Sequence, residues 1–406
     1  MAKDHIKLGK ELDLFVQSDI VGRGLPLLTP KGATLKRILR RFIVDEEIKR
    51  GYQFTETPVM AKSELYKLSG HLDHFRESMF VFKIGDPSTG SGQEEITLRP
   101  MTCPHQFMIY KSRPHSYREL PIRYAEIADL FRNEQTGEMH GLTRVRQFTL
   151  ADGHIICTPE QVEEEFKNAL DLVQLVMKSL GFINNYWYRF SKWDSKNKEK
   201  YIDNPKAWEE SQAMMKKIID KMGLKYEEAE GEAAFYGPKL DIQMKNIFGK
   251  EDTIFTVQID FALPEKFDMN YEGADGKKHR PMVIHRSSIG ALERTMAMLI
   301  EFYQGKFPVW LSPVQVIVVP ISEKFNDYGK KVLQELLDNE VRAEINLNNE
   351  TLNKKILESE QQKIPYILIV GEKEMKDNSV SVRSRKGATK LEKFIEEIQE
   401  NIENKK

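Results

Sequence analysis

Residues 131–154, FRNEQTGEMHGLTRVRQFTLADGH, constrain this chain more than any other stretch. Strand-like runs at 122–132 and 145–157 flank a polar loop holding Gly137, His140 and Gly141, so the whole reads as a long β-hairpin. A hairpin that only had to fold would close in a short turn, whereas this loop carries about a dozen polar residues. Its arms bring charges face to face: Arg132 and Glu134 on one, Arg144 and Asp152 on the other. Such a set suits a polyphosphate nucleotide, with Arg132 on a phosphate, Glu134 accepting from an exocyclic amine and Phe148 stacked on a purine. The same charges would serve equally in a solvent-facing hairpin laced with salt bridges.

A chain of 406 residues exceeds one ordinary core, so two domains are expected. Residues 1–32 form a lead-in: a short helix at 7–15, then VGRGLPLLTPKG as loop. Leu35, Ile38, Leu39, Phe42 and Ile43 mark an amphipathic helix that Gly51 ends. YQFTETPVM reads as a strand whose Pro58 restricts it to an edge or a bulge. GDPSTGSGQ is a flexible connection by composition. Pro104 and Pro159 each open a helix, and Gly181 closes the second. NYWYRFS, AFYGPKLDIQM, TIFTVQIDF and PMVIH are strands, and IGALERTMAMLIEFYQG is a helix closed by Gly305. Adjoining strands predict an antiparallel sheet surrounded by helices, an α+β architecture. FPVWLSP, 307–313, marks a boundary, beyond which strands and helices alternate strictly; 307–406 is therefore expected to be a small α/β domain with parallel pairing.

No apolar run approaches the roughly 20 residues of a membrane span. The start, MAKDHIKLGKELDLF, has neither a secretory apolar stretch nor transit-peptide character, so a cytoplasmic protein is expected. Two cysteines cannot build a disulfide framework. With Lys+Arg at 61 and Asp+Glu at 62 there is no general basic coat, so any nucleic-acid partner must be held by local patches.

Three further constellations carry chemistry. Cys103, His154 and His285 each end a strand or start a helix. Three such ligands with a fourth place open is the pattern of a working zinc, although a lone Cys is more often a small core residue. In IHRSSIGALERT a strand is predicted to end at His285 and a helix to begin near Ser288, whose amides would favour an anion close to Arg294. Glu293–Arg294 would equally make a surface charge pair. In the last domain Asn349, Glu374, Arg383 and Arg385 fall at strand ends or in the loops after them, where open α/β sheets place ligands and where solvated charged rims also lie.

These motifs together resemble a known family. The helix at 33–50 with Pro58, FRNE followed by FTLAD, and GALER look like motifs one, two and three of class II aminoacyl-tRNA synthetases. With SGHLDHFRESMF, TCP, HGLTRVRQFT, AFYGPK, VQIDF and MVIHR added, the chain closely resembles the threonyl-tRNA synthetase family from residue 4 to 400. The resemblance implies a catalytic domain at 33–306 on an antiparallel sheet of six to seven strands, and an anticodon-binding domain at 307–406. It implies Zn²⁺ on Cys103, His154 and His285, and ATP with Mg²⁺ held by Arg132 (α-phosphate), Glu134 (adenine amine), Phe148 (adenine face), and Arg144 and Arg294 (γ-phosphate). Asp152 matches the residue that binds the threonine hydroxyl, Tyr236 and Gln258 match pocket residues, and His71 matches the histidine linked to transfer onto tRNA. Asn349, Glu374 and Arg383 match anticodon-reading positions.

The implied reaction is ATP-dependent ligation of L-threonine to the 3′ end of threonine tRNA through an adenylate, with zinc rejecting valine, in a homodimer. A synthetase-like RNA-binding module would have no use for the triphosphate clamp. Departures exist: the family's common CPGH reads CPHQ, and Leu150 and Ala291 stand where glutamine and serine are usual. The family's N-terminal editing region has no counterpart in this sequence.

Overall fold

The structure, a computed structural model, describes residues 2–85 and 93–406. Residues 86–92, most of the expected GDPSTGSGQ connection, lie outside the described residues. The chain forms two compact units. One comprises the chain up to Val21, Pro26–Leu39 and Met296–Lys406; the other comprises Gly22–Leu25 and Arg40–Thr295.

The second unit is built on an eight-stranded sheet. In chain order its strands are β1 (Gln53–Phe54), β2 (Ile122–Phe131), β3 (Gln147–Cys157), β4 (Tyr186–Lys192), β5 (Tyr226–Glu230), β6 (Lys239–Lys245), β7 (Glu251–Asp260) and β8 (Met282–Ala291). Their spatial order is β5-β4-β6-β7-β8-β3-β2-β1. The inner pairings are antiparallel, whereas β5 on β4 and β1 on β2, at the two edges, are parallel. The expected hairpin is β2–β3, in register from Ile122↔Ile156 to Phe131↔Gln147.

Both edges depart from the sequence reading. β5 reads YEEAE, poor in strand formers, and becomes a strand because its glutamates meet Arg189 and Lys192 of β4. Charge on an edge strand also blocks further pairing. YQFTETPVM does not run as one strand. β1 covers only Gln53–Phe54, Met60–Lys62 joins a separate three-stranded sheet, and Pro58 lies between them without an N–H to donate.

Alternation of side chains sorts the sheet's faces. Arg123, Ile155 and Arg286 share one face, covered by α1 (Pro30–Ile48) at its Glu47 end and by α3 (Val162–Ser179), whose Glu165 takes two hydrogen bonds of 2.6 Å from Arg123. Asp152, His154, Gln258 and His285 share the other, with His154 directly across from His285 and His285 across from Gln258. The helix α2 (Cys103–Lys111) packs on that face, Phe107 meeting both histidines edge-on.

The predicted turn and helix start at 286–288 are corrected by the structure. β8 continues to Ala291 and α4 (Leu292–Tyr303) follows it, so no helix N-terminus lies at Ser288 and Arg294 sits in the first turn. The polar run is a buried strand because Glu47 accepts hydrogen bonds from both Arg286 and Ser288 Oγ. Gly290 makes the kink: its φ is +68°, the register shifts between Ser287 and Ala291, and a Cβ there would collide with the Ile254 carbonyl.

The first unit holds a five-stranded sheet with β9 (Val316–Pro320), β10 (Ala343–Ile345), β11 (Tyr366–Val370), β12 (Ser379–Val382) and β13 (Ala388–Lys390), ordered β10-β9-β11-β12-β13. β10, β9 and β11 are parallel, as the strand–helix alternation predicts, while β12 and β13 add antiparallel. Val316, Val318, Val332, Leu336, Leu368, Phe394 and Ile398 form its core. Among the described residues no helix is long and apolar enough to cross a membrane.

Candidate active site and metal centre

A cavity of about 290 Å³ opens on the Asp152–His154 face of the large sheet. It is lined by every residue that sequence reading linked to metal, nucleotide, amino acid or transfer: His71, Cys103, Arg132, Glu134, Arg144, Phe148, Asp152, His154, Tyr236, Gln258, His285 and Arg294. Asn349, Glu374 and Arg383 belong to the other unit. Asn349 and Arg383 are exposed, and Glu374 accepts from Gly371 N–H (3.0 Å) and Ser381 Oγ (2.8 Å).

The floor holds the three buried ligand candidates. One donor atom each from Cys103, His154 and His285 lie within 4.8 Å of one another. Cross-strand pairing brings the histidines together, and their rings meet edge-on at 4.6 Å between centroids. Each ring uses one nitrogen elsewhere: His154 Nδ1 is 2.5 Å from Gln106 Oε1, and His285 Nε2 is 2.8 Å from Asp260 Oδ2. Burial pushes the His154 pKa down to about 3, against the opposing pull of Asp152, so the ring is neutral. Burial, reinforced by Asp152 and Asp260, holds the Cys103 thiol well above its usual range. A thiol and two oriented imidazoles form a donor set that fits a borderline-soft divalent cation.

Above them is a crowd of guanidinium groups. Arg132 opens into the cavity and stacks on Phe148, 5.1 Å from its ring centroid, with no carboxylate partner among the described residues. The side chain is exposed within the open cavity, and partial desolvation by the cavity walls, then the charge of Arg294, lower its pKa from the ordinary value. Arg294 donates to the carbonyls of Thr143 (3.1 Å) and Thr253 (3.0 Å), and burial lowers its pKa too. Arg144 pairs with Glu134 at 2.7 Å and with Glu138 at 3.1 Å. Arginines stay charged even so; with Arg144 already paired, Arg132 and Arg294, which have no carboxylate partner among the described residues, leave positive charge for an anion.

The remaining groups line the same cavity. Asp152 Oδ1 is 3.8 Å from His154 Nε2. Tyr236 stacks on His285 and donates to Gln258 Oε1 at 2.6 Å. His71 is buried, bonded through Nδ1 to Ser69 Oγ at 2.7 Å, and burial together with His285 lowers its pKa to about 3. Sequence reading missed Asp260, Gln106 and Glu47 as supporting groups. Asp260 lay in plain view in VQIDF, while Glu47 carries no local signal because its partner Arg286 is distant in sequence.

Fold and cavity define a class, and the comparisons agree. The chain belongs to the class II tRNA synthetases: the tRNA synthetase class II core domain (G, H, P, S and T) matches residues 82–303, and the anticodon binding domain matches 315–405. Within that class it is 57% identical over 407 residues to threonine–tRNA ligase of Clostridium botulinum (strain Eklund 17B / Type B), covering 99% of this chain and 63% of that one. Threonine–tRNA ligase of Streptococcus thermophilus (strain ATCC BAA-491 / LMD-9) is 52% identical over 401 residues, covering 98% and 61%. The chain thus spans about three fifths of the length of these curated relatives. The crystal structure of the RNA binding domain of threonyl-tRNA synthetase from Cryptosporidium parvum Iowa II superimposes with a TM-score of 0.91 at 35% identity, covering 98% of each chain.

Proposed function

We propose that this chain ligates L-threonine to the 3′ end of threonine tRNA, using ATP and passing through threonyl-adenylate. One observation carries the reading: a thiol–imidazole metal set, Asp152 and a cluster of guanidinium groups, two of them without a carboxylate partner among the described residues, converge on a single cavity of a class II core. In this reading 33–306 is the catalytic domain, 307–406 binds the anticodon through Asn349, Glu374 and Arg383, and 1–32 leads in. Each Glu374 oxygen keeps a lone pair beyond its present bond for a base. A cytoplasmic homodimer completes the reading, on family resemblance.

ATP, bringing Mg²⁺, settles with its adenine amine on Glu134, its base against Phe148 and its γ-phosphate at Arg144 and Arg294. Arg132, without a carboxylate partner among the described residues, meets the α-phosphate. A threonine carboxylate oxygen attacks the α-phosphorus and pyrophosphate leaves, while Arg132 opposes the negative charge that grows there. Asp152 accepts from the threonine hydroxyl, and Tyr236 and Gln258 shape the side-chain pocket. Zinc on Cys103, His154 and His285 would supply a Lewis-acidic point for the amino and hydroxyl lone pairs of threonine. His71, neutral and with Nε2 not engaged by Ser69, assists at the attacking ribose hydroxyl of tRNA.

The test is metal analysis with ATP–pyrophosphate exchange across the amino acids. Threonine should drive exchange, about one zinc should accompany each chain, and His285→Ala should lose both. Metal-free protein with full threonine activation, or exchange driven by a different amino acid, would overturn the reading.

A further inference from the structure

We propose that Gln106 is a positioning residue for the metal: through a relay that begins at Glu126, it imposes on His154 the tautomer that leaves Nε2 free to ligate. The inference rests on the metal reading above. Gln106 is fully buried on α2, three residues beyond Cys103, between His154 and Thr55.

The direction of each hydrogen bond follows from the acceptors at the far end. The carboxylate of Glu126 is held by Arg99 Nη1 at 2.7 Å. Thr55 Oγ1 lies 3.2 Å from Glu126 Oε2 and 3.4 Å from the Ala125 carbonyl, and neither of these can donate. The single hydroxyl proton of Thr55 is therefore committed to them, and its oxygen is left as an acceptor. Gln106 Nε2 donates to that oxygen at 2.8 Å. The amide orientation is thus dictated by the network, and Oε1 is left facing His154 Nδ1 at 2.5 Å. A carboxamide oxygen only accepts, so Nδ1 carries the proton and Nε2 carries the lone pair. A reversed amide would aim its NH₂ at Nδ1, drive the proton to Nε2 and remove the donor from the metal.

His285 is set in the opposite sense. Its Nε2–H goes to Asp260 Oδ2, while Asp260 Oδ1 is fixed by the N–H groups of Ala262 (2.8 Å) and Leu263 (2.9 Å), leaving Nδ1 for the ion. One ligand is oriented by an anion and the other by a neutral amide at the position where this chain reads CPHQ. Gln106 thus supplies, with no carboxylate in direct contact with the ring's Nδ1, the fixed tautomer that metal-bound histidines require.

Two substitutions and one spectroscopic signature test this. Gln106→Met keeps the volume and removes the acceptor; Thr55→Val keeps the shape and removes the hydroxyl that holds the amide. Zinc affinity, measured by competition with a chelating dye, should fall about 10- to 100-fold in Gln106→Met and by less in Thr55→Val. In the metal-free protein, ¹⁵N NMR of the His154 ring should show the Nδ1–H tautomer, with a shift toward Nε2–H in both variants. Wild-type protein that takes up no zinc would remove the metal reading, leaving the tautomer measurement to judge Gln106 alone. Wild-type zinc binding with unchanged affinity in both variants, or an Nε2–H tautomer in the wild type, would overturn the proposal while the metal reading stood.

Discussion

Arg132→Ala separates a group kept for a ligand from one kept for the fold. The side chain has no carboxylate partner among the described residues, so its removal strands no buried charge. The fold loses the stack on Phe148, worth roughly 0.5–1 kcal/mol, and is relieved of repulsion from Arg294. The thermal midpoint should therefore move by no more than about 3 °C. Catalysis should respond very differently. A donor aimed at charge that develops in the transition state is worth about 2.7–4 kcal/mol, or about 100- to 1000-fold in kcat. ATP–pyrophosphate exchange with threonine and a thermal melt, run on the same preparations, read the two effects. Arg132→Lys keeps the charge without the planar fork and should fall between wild type and alanine. Exchange within about threefold of wild type, less than 1 kcal/mol in barrier, would refute the assignment. So would a melt lowered by more than about 10 °C, which would make Arg132 a structural residue.

His71→Ala should slow transfer to tRNA in single-turnover assays and leave adenylate formation nearly intact, because His71 lies outside the residues assigned to ATP; equal losses in both steps would count against it. Valine lacks the hydroxyl that Asp152 would accept, so its kcat/KM in exchange should fall about 10⁴- to 10⁵-fold below threonine, whereas serine, lacking one methyl, should fall only about 10- to 200-fold. Valine activated as well as serine would remove Asp152 from its role. Glu47→Ala leaves Arg286 buried without its ion-pair partner, so stability measured in urea should drop by about 3–5 kcal/mol; a drop below about 1 kcal/mol would mean that water or another acceptor reaches the site.

What was legible follows from where the determining contacts lie in the chain. The hairpin β2–β3 could be read because its alternation is local, and that alternation already places Asp152 and His154 on one face two residues apart. His285 enters by strand pairing over a long separation, which no spacing encodes; motif resemblance supplied it, and the register His154↔His285 is its physical form. β8 beyond His285 was misread for the converse reason. Arg286 and Ser288 look like turn residues until Glu47, 239 and 241 positions away, satisfies both. β5 was invisible because YEEAE has no apolar face, and basic side chains from elsewhere, Arg189 and Lys192 of β4 and Lys216, meet its glutamates. The same rule sorts the site. Side chains that would touch ligands carry recognisable chemistry, whereas those that orient them, Gln106, Asp260 and Glu47, have meaning only through a partner brought in by the fold. An orienting group is therefore recovered by asking which acceptor each ligating nitrogen's far side requires. That question identifies Gln106 and Asp260 from the hydrogen-bond directions at His154 and His285.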